Sequence, residues 1–245
     1  KSLLREEMDL RDMKGTAKFE VNYAPKKDDW SFGTAFCAGS SGSGKTHLVA
    51  SHIEEALRRK KKRKFIYLSP EFQIDSTLQK LRNNKRWMKY FTGIDISDKA
   101  FKISEKGSAQ QWWDEVIFPQ LKEAEEGTTI IMDDNKDSEV WRQSRNFMSK
   151  YMRTGRHRKI GLVSIQHNVR GGQDTAQAYS SVKTIILFPR AGGKGKQVDF
   201  LHELTGVTRR RAHELVEIFA ESGRWMAIHA WSPVVLYGPK YAVWV

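Results

Sequence analysis

The sequence predicts an α/β fold: a mainly parallel sheet with helices on both faces, built around a phosphate-binding loop and extended by extra C-terminal strands. Three observations predict it. Gly39, Ser40, Ser41, Gly42, Ser43, Gly44, Lys45 and Thr46 match the pattern G-x-x-x-x-G-K-[ST] with no mismatch. Short apolar runs alternate with segments of helical periodicity, which is how a parallel sheet covered by helices reads in sequence. Two of those runs end in chemically useful residues: 128–132 leads into Asp133 and Asp134, and 160–165 leads into Gln166.

The phosphate loop has a physical basis. Its small residues let successive backbone N–H groups curl around a phosphate, which then sits on the N-terminus of the following helix. Lys45 supplies a mobile positive charge to the β- and γ-phosphates, and the Thr46 hydroxyl suits a magnesium ligand. At average composition about one chain in a hundred of this length would carry the string by chance. The context sharpens it further: 34–38 reads as a short buried strand, and 47–57, starting at His47, reads as a helix with apolar residues at helical spacing. Residues 39–47 are therefore expected to bind a nucleoside triphosphate.

The remaining elements read in order along the chain. Residues 1–28 are strongly charged and read as an arm or lead-in, with a short amphipathic helix on Leu3, Leu4, Met8 and Met13. From 29 to 245 a single P-loop domain is expected. The run 65–68 is a second strand, closed by Ser69 and Pro70. Residues 71–125 read as largely helical, with Leu78, Leu81, Trp87, Trp112, Trp113, Val116, Ile117 and Leu121 as core candidates. Helix is expected over 139–153 and strand over 182–188. A basic, Gly-rich loop at 190–196 leads to helices near 198–205 and 208–221. From about 225 the tail reads as strands joined by Ser-Pro and Gly-Pro turns.

In such a sheet the ligand sits at the carboxyl ends of the strands. The phosphate loop, the Asp133–Asp134 pair and Gln166 all come directly after strands and should meet at one edge. An apolar strand ending in acids is the expected Walker B element. Asp133 would hold magnesium, directly or through water, because this ion takes few protein carboxylates. Asp134 is placed to polarise the attacking water, and Gln166 to hydrogen-bond the γ-phosphate or that water. A plain Asp-Asp surface turn is the alternative for that pair. Arg153, Arg156 and Arg158 belong at the opposite edge, where an arginine could reach a neighbouring subunit's nucleotide.

Composition narrows the partners. The 245-residue chain is 39% hydrophobic, large enough for a proper core, and has no apolar run near the roughly 18 residues of a membrane span. No secretory signal pattern opens it, and without an initiating Met some N-terminal sequence is expected to have been removed or left out. The single cysteine, Cys37, excludes an internal disulfide and suits a reducing compartment. Net charge is +13, in the range of nucleic-acid-binding domains. Seven consecutive cations fill 58–64, from Arg58 to Lys64; Arg209 to Arg211 form another run, and 190–196 adds Arg190, Lys194 and Lys196. The first run ends about 20 Å from the phosphates at 1.5 Å per helical residue, so it is a solvated helix end or a nucleic-acid contact.

Together these elements resemble the FtsK–HerA superfamily of P-loop motor ATPases, and more narrowly the genome-packaging ATPases of double-jelly-roll viruses, including large nucleocytoplasmic DNA viruses and tailless membrane-containing phages. The matching residues are Gly39 to Thr46, Tyr67-Leu-Ser-Pro70 followed by Asp75, Ile130-Ile-Met-Asp-Asp134, Thr154-Gly-Arg-His157 and Ser164-Ile-Gln166. The resemblance covers about 30–190. It implies a RecA-like core, ATP and Mg²⁺ as ligands, and a hexameric or pentameric ring. It also implies a trans-acting arginine at Arg156 and movement of duplex DNA through the pore, with capsid or portal-vertex proteins as further partners. The expected setting is the virion or the infected cell's cytoplasm. A secretion or conjugation ATPase of the same superfamily, and an ATP-switched nucleic-acid-binding module without translocation, are the alternatives.

Overall fold

Short runs rich in β-branched and aromatic residues form most of the strands, and those at Thr34–Ala38, Phe65–Ser69, Thr129–Asp133, Gly161–Gln166 and Thr184–Leu187 are buried throughout. The computed structural model describes residues 7–9, 34–58, 63–168, 182–191, 193–229, 235–238 and 241–244. The chain divides into two units, one of Ala24–Thr34 and Thr46–Gln166, the other of Lys1–Tyr23, Ala35–Lys45 and His167–Val245.

In the unit holding Thr46–Gln166, four strands lie in the order β6-β5-β3-β4: β3 (Phe65–Ser69), β4 (Phe91–Asp95), β5 (Thr129–Asp133) and β6 (Gly161–Gln166). All are parallel. β3, β5 and β6 are buried at every position, as strands with both faces covered must be. The register sets Asp133 against Ile165, so the carboxyl ends of β5 and β6 finish side by side.

β4 corrects the expectation of helix through 71–125. Its sequence, Phe-Thr-Gly-Ile-Asp, has no β-branched run, and its pairing with β3 comes from tertiary packing. The Phe72 ring lies against the backbone at Gly93, where an added Cβ would stand 1.7 Å from it. Phe72 also stacks on Phe91, with centroids 6.3 Å apart. Helices flank this strand. α2 (Ser76–Arg82) is capped by Asp75, which accepts from the Thr77 and Leu78 amides, and α3 (Asp98–Ile103) is capped by Ser97.

Next, α4 (Ala109–Trp112) runs into α5 (Phe118–Lys122) through a π-helical turn, Trp113–Ile117. Pro119 explains the turn, because it lacks an N–H and its ring would strike the carbonyl four residues back. Leu78, Leu81, Trp112, Trp113, Ile117 and Leu121 are buried as expected. Val116 is exposed on the π turn, and Trp87 is only half-buried. α6 (Trp141–Thr154) buries Phe147, Met148 and Tyr151. Phe147 stacks on Tyr151 at 4.1 Å and meets Trp113 edge-on.

α1 (Lys45–Arg58) buries Val49, Ala50, Ile53, Ala56 and Leu57, one apolar stripe at helical spacing. In the other unit, β2 (Thr34–Ala38) pairs in parallel with β7 (Thr184–Leu187). Antiparallel strands β8 (Met226–His229), β9 (Val235–Tyr237) and β10 (Tyr241–Trp244) come next, forming the expected C-terminal extension. β1 (Glu7–Asp9) pairs with β10, so Met8 lies in a strand and not in the expected helix. The rest of the 1–28 arm lies outside the described residues. α7 (Lys194–Thr205) ends at Gly206, with φ of 72°, and α8 (Arg209–Ser222) starts at the Thr208 cap. Among the described residues no helix is long and apolar enough to cross a membrane.

Candidate nucleotide-binding site

The phosphate loop comes after β2 and has the conformation its glycines permit. Gly42 and Gly44 have φ of 72° and 100°, left-handed values that L side chains avoid. Gly39 is needed for space, since a Cβ there would come 2.8 Å from Ser43 Oγ and 3.1 Å from Phe188 Cβ. Ser40 Oγ donates to the Ala191 carbonyl, and Ser43 N donates to Ser40 O at 3.2 Å. Lys45, although cationic, is only 5% exposed. Its Nζ donates to Ser40 O at 3.1 Å and lies 3.5 Å from His167 Nδ1, so the ammonium is folded over the loop. Ser41 is exposed, and so is His47 on the first turn of α1.

Thr46, the next residue, donates its hydroxyl to Asp133 Oδ2 at 3.0 Å. The same oxygen accepts from Tyr67 Oη at 2.5 Å. Asp133 ends a fully buried strand and is itself 3% exposed. Burial pushes the Tyr67 phenol well above its ordinary value, and the adjacent Asp133 carboxylate adds to the rise. Tyr67 therefore remains a proton donor. A hydroxyl and a carboxylate this close are the hard-oxygen pair that Mg²⁺ takes, with the Thr46 proton committed to Asp133 and its lone pairs available to a cation. Among the described residues no group of three or more His, Cys, Asp or Glu could hold a metal. That is compatible with an ion held mainly by phosphate and water.

Asp134 turns away from the strand in the left-handed region, φ 45° and ψ 34°, with its N–H on the Ile165 carbonyl at 3.2 Å. This conformation costs a non-glycine residue about 1 kcal/mol, which Asp tolerates better than most. The neighbouring Asn135 anchors the turn, being fully buried and donating to Ser144 Oγ at 2.7 Å. Gln166, one residue beyond the partner of Asp133, is buried. Its Nε2 lies 3.3 Å from Ser164 Oγ, while Oε1 has no hydrogen-bond partner among the described residues. Such an orphan amide oxygen is ready for a donor.

Other candidates are distributed differently. Arg153 donates to Ser149 O, and Arg158 is held by the Tyr151 hydroxyl and ring. Arg156 belongs to the 3₁₀ turn Gly155–Arg158, and its side chain lies outside the described residues. In the first basic run Arg58 pairs with Glu54, Arg63 is buried and Lys64 pairs with Glu125 at 2.9 Å; 59–62 lie outside the described residues. In the second, Arg190 caps α8 through the Ala220 and Glu221 carbonyls and Lys194 pairs with Glu217, while Lys196 is exposed. Sequence reasoning missed Tyr67 and His167. Tyr67 stood inside a matched motif without a role, and His167 comes directly after Gln166.

No protein-family model and no curated protein matches the chain. Solved structures do. The genome packaging NTPase B204 from Sulfolobus turreted icosahedral virus 2, in complex with sulfate, superposes with a TM-score of 0.56 at 14% identity, covering 85% of this chain and 97% of that one. Its complex with AMP gives 0.53 at the same identity, covering 85% and 98%. The cytoplasmic domain of the Type VII secretion ATPase EccC from Thermomonospora curvata gives 0.52 at 13% identity, over 85% of this chain and 25% of that one. The chain has the RecA-like P-loop NTPase fold of these neighbours.

Proposed function

We propose that this chain binds ATP with Mg²⁺, hydrolyses it, and uses the cycle to move double-stranded DNA, most specifically to package a viral genome into a preformed capsid. The observation that carries the ATPase reading is the Thr46–Asp133 hydrogen bond, which joins the phosphate-loop threonine to the strand-end aspartate. The backbone amides of 39–47 cradle the phosphates, and Lys45 leaves Ser40 O to neutralise them. Thr46 and Asp133 hold the magnesium ion, which supplies charge stabilisation to the phosphoryl oxygens. Asp134, less buried than Asp133, takes the proton of the attacking water, and Gln166 orients that water or the γ-phosphate. Arg156 acts on the nucleotide of a neighbouring copy in a ring.

The DNA reading is supported by the +13 charge and by the fold likeness to a genome packaging NTPase. The likeness to EccC favours a secretion-type motor as the second reading. ATP turnover by the purified chain, measured with and without duplex DNA at low and moderate salt, separates them. A packaging motor is stimulated by duplex, and the stimulation fades with salt. Turnover indifferent to DNA at every salt concentration removes the DNA reading and leaves the ATPase.

A further inference from the structure

We infer that Tyr67 is a positioning residue for the divalent ion, acting through Asp133. This rests on the ATPase reading above. Tyr67 lies midway along β3 and is 0% exposed, so its hydroxyl meets no solvent in the resting protein. Its hydroxyl donates to Asp133 Oδ2, 2.5 Å away, on the oxygen that also accepts from Thr46, and the Thr46 hydroxyl lies beside it.

Two donors on one oxygen have a definite consequence. A carboxylate at a strand end can rotate about its terminal torsion, which has a broad, soft profile. A hydrogen bond from Thr46 alone would leave that rotation restrained by a hydroxyl that a cation also draws on. Tyr67 comes from the adjacent strand, in register with Ile131, and is locked by burial and by the Phe91 ring 6.3 Å away. It thus gives Asp133 a second tie, from within the sheet. When the Thr46 oxygen takes a cation, the carboxylate remains aimed. Partners of this kind behind a metal ligand typically change metal affinity 10–100-fold.

The test is the linkage between metal and nucleotide in the full chain. The Kd of a fluorescent ADP is measured in EDTA and in saturating Mg²⁺, and their ratio is the metal coupling. Tyr67→Phe should leave the EDTA value unchanged and lower the ratio about 10-fold, with partial recovery of Mg²⁺-bound affinity at raised magnesium. An unchanged ratio overturns the inference, as does an equal loss of affinity in EDTA, which would mean general damage to the site. If Tyr67→Phe folds poorly, the double variant with Asp133→Asn removes the buried charge that lost the tyrosine donor. Its ratio should equal that of Asp133→Asn alone, and a further drop overturns the inference because Tyr67 would then act independently. Wild-type protein that binds no nucleotide in either buffer sinks the ATPase reading, and this inference with it.

Discussion

The Thr46 hydroxyl and Asp133 Oδ2 lie 3.0 Å apart although 87 residues separate them in the chain. Thr46 opens a helix after a glycine-rich loop, while Asp133 closes a buried parallel strand. Their hydrogen bond sets a hydroxyl and a carboxylate side by side, the two protein oxygens the proposed magnesium ion would use. Several measurements probe how far that site behaves as proposed.

Lys45→Ala and Asp134→Asn should each lower ATP turnover at least 100-fold, for different reasons. Loss of Lys45 removes the cation that neutralises the phosphates, so nucleotide binding weakens too. Asp134→Asn removes the proposed general base, a role worth about 10²–10⁴ in rate, and leaves the cradle intact, so ATP should stay bound. Equilibrium binding beside turnover checks both. Normal hydrolysis by the Asn variant would exclude Asp134 as the base.

Thr46→Ser retains the hydroxyl and should keep turnover within a few-fold of wild type. Thr46→Ala removes both the metal-facing oxygen and a donor to buried Asp133. Its magnesium requirement should rise by 10-fold or more, on the order of the effect of losing a metal-site partner. A magnesium titration of turnover for the two variants decides it; identical curves would contradict the assignment.

Gly93→Ala tests the fold away from the chemistry. An alanine Cβ would stand 1.7 Å from the Phe72 ring, which is itself buried against Phe91. Overpacking of this kind costs about 1–3 kcal/mol, or roughly 2–12 °C in Tm for a chain of this size. Nucleotide affinity at low temperature should not change. Gly39→Ala should do the reverse: the crowding falls on Ser43 Oγ and Phe188, so ADP affinity drops about 10-fold with little change in Tm.

Arg190→Ala and Lys196→Ala separate structural from DNA-facing cations in one loop. Arg190 donates to two carbonyls at the end of α8, so its removal should lower Tm, by about 1 kcal/mol in stability. Lys196 is exposed at the start of α7. Its removal should leave Tm unchanged and reduce the salt slope of duplex binding by about 1. Thermal melts and a salt series of DNA affinity read both; an unaltered slope in Lys196→Ala removes this lysine from the DNA surface.

Residues 39–46 and the strand runs before Asp133 and Gln166 were readable without coordinates, because each depends on a contiguous stretch. Small residues alone permit the turns at Gly42 and Gly44, and an unbroken apolar run is what a strand covered on both faces requires. The helices beginning at Lys45 and Trp141 were legible from periodicity for the same reason. Tertiary structure decided what contiguous residues cannot encode. β4 exists because Phe72 folds onto Gly93, a contact between distant positions that no local pattern announces. Tyr67 reads from sequence as one more buried aromatic in a strand, and only the pairing of β3 with β5 brings its hydroxyl to Asp133. Likewise the charge of Arg190 and Lys194 was visible, but their use on α8 depends on where the chain returns. Local composition specifies what a segment can become; which groups then share a hydrogen bond is set by packing between segments distant in the chain.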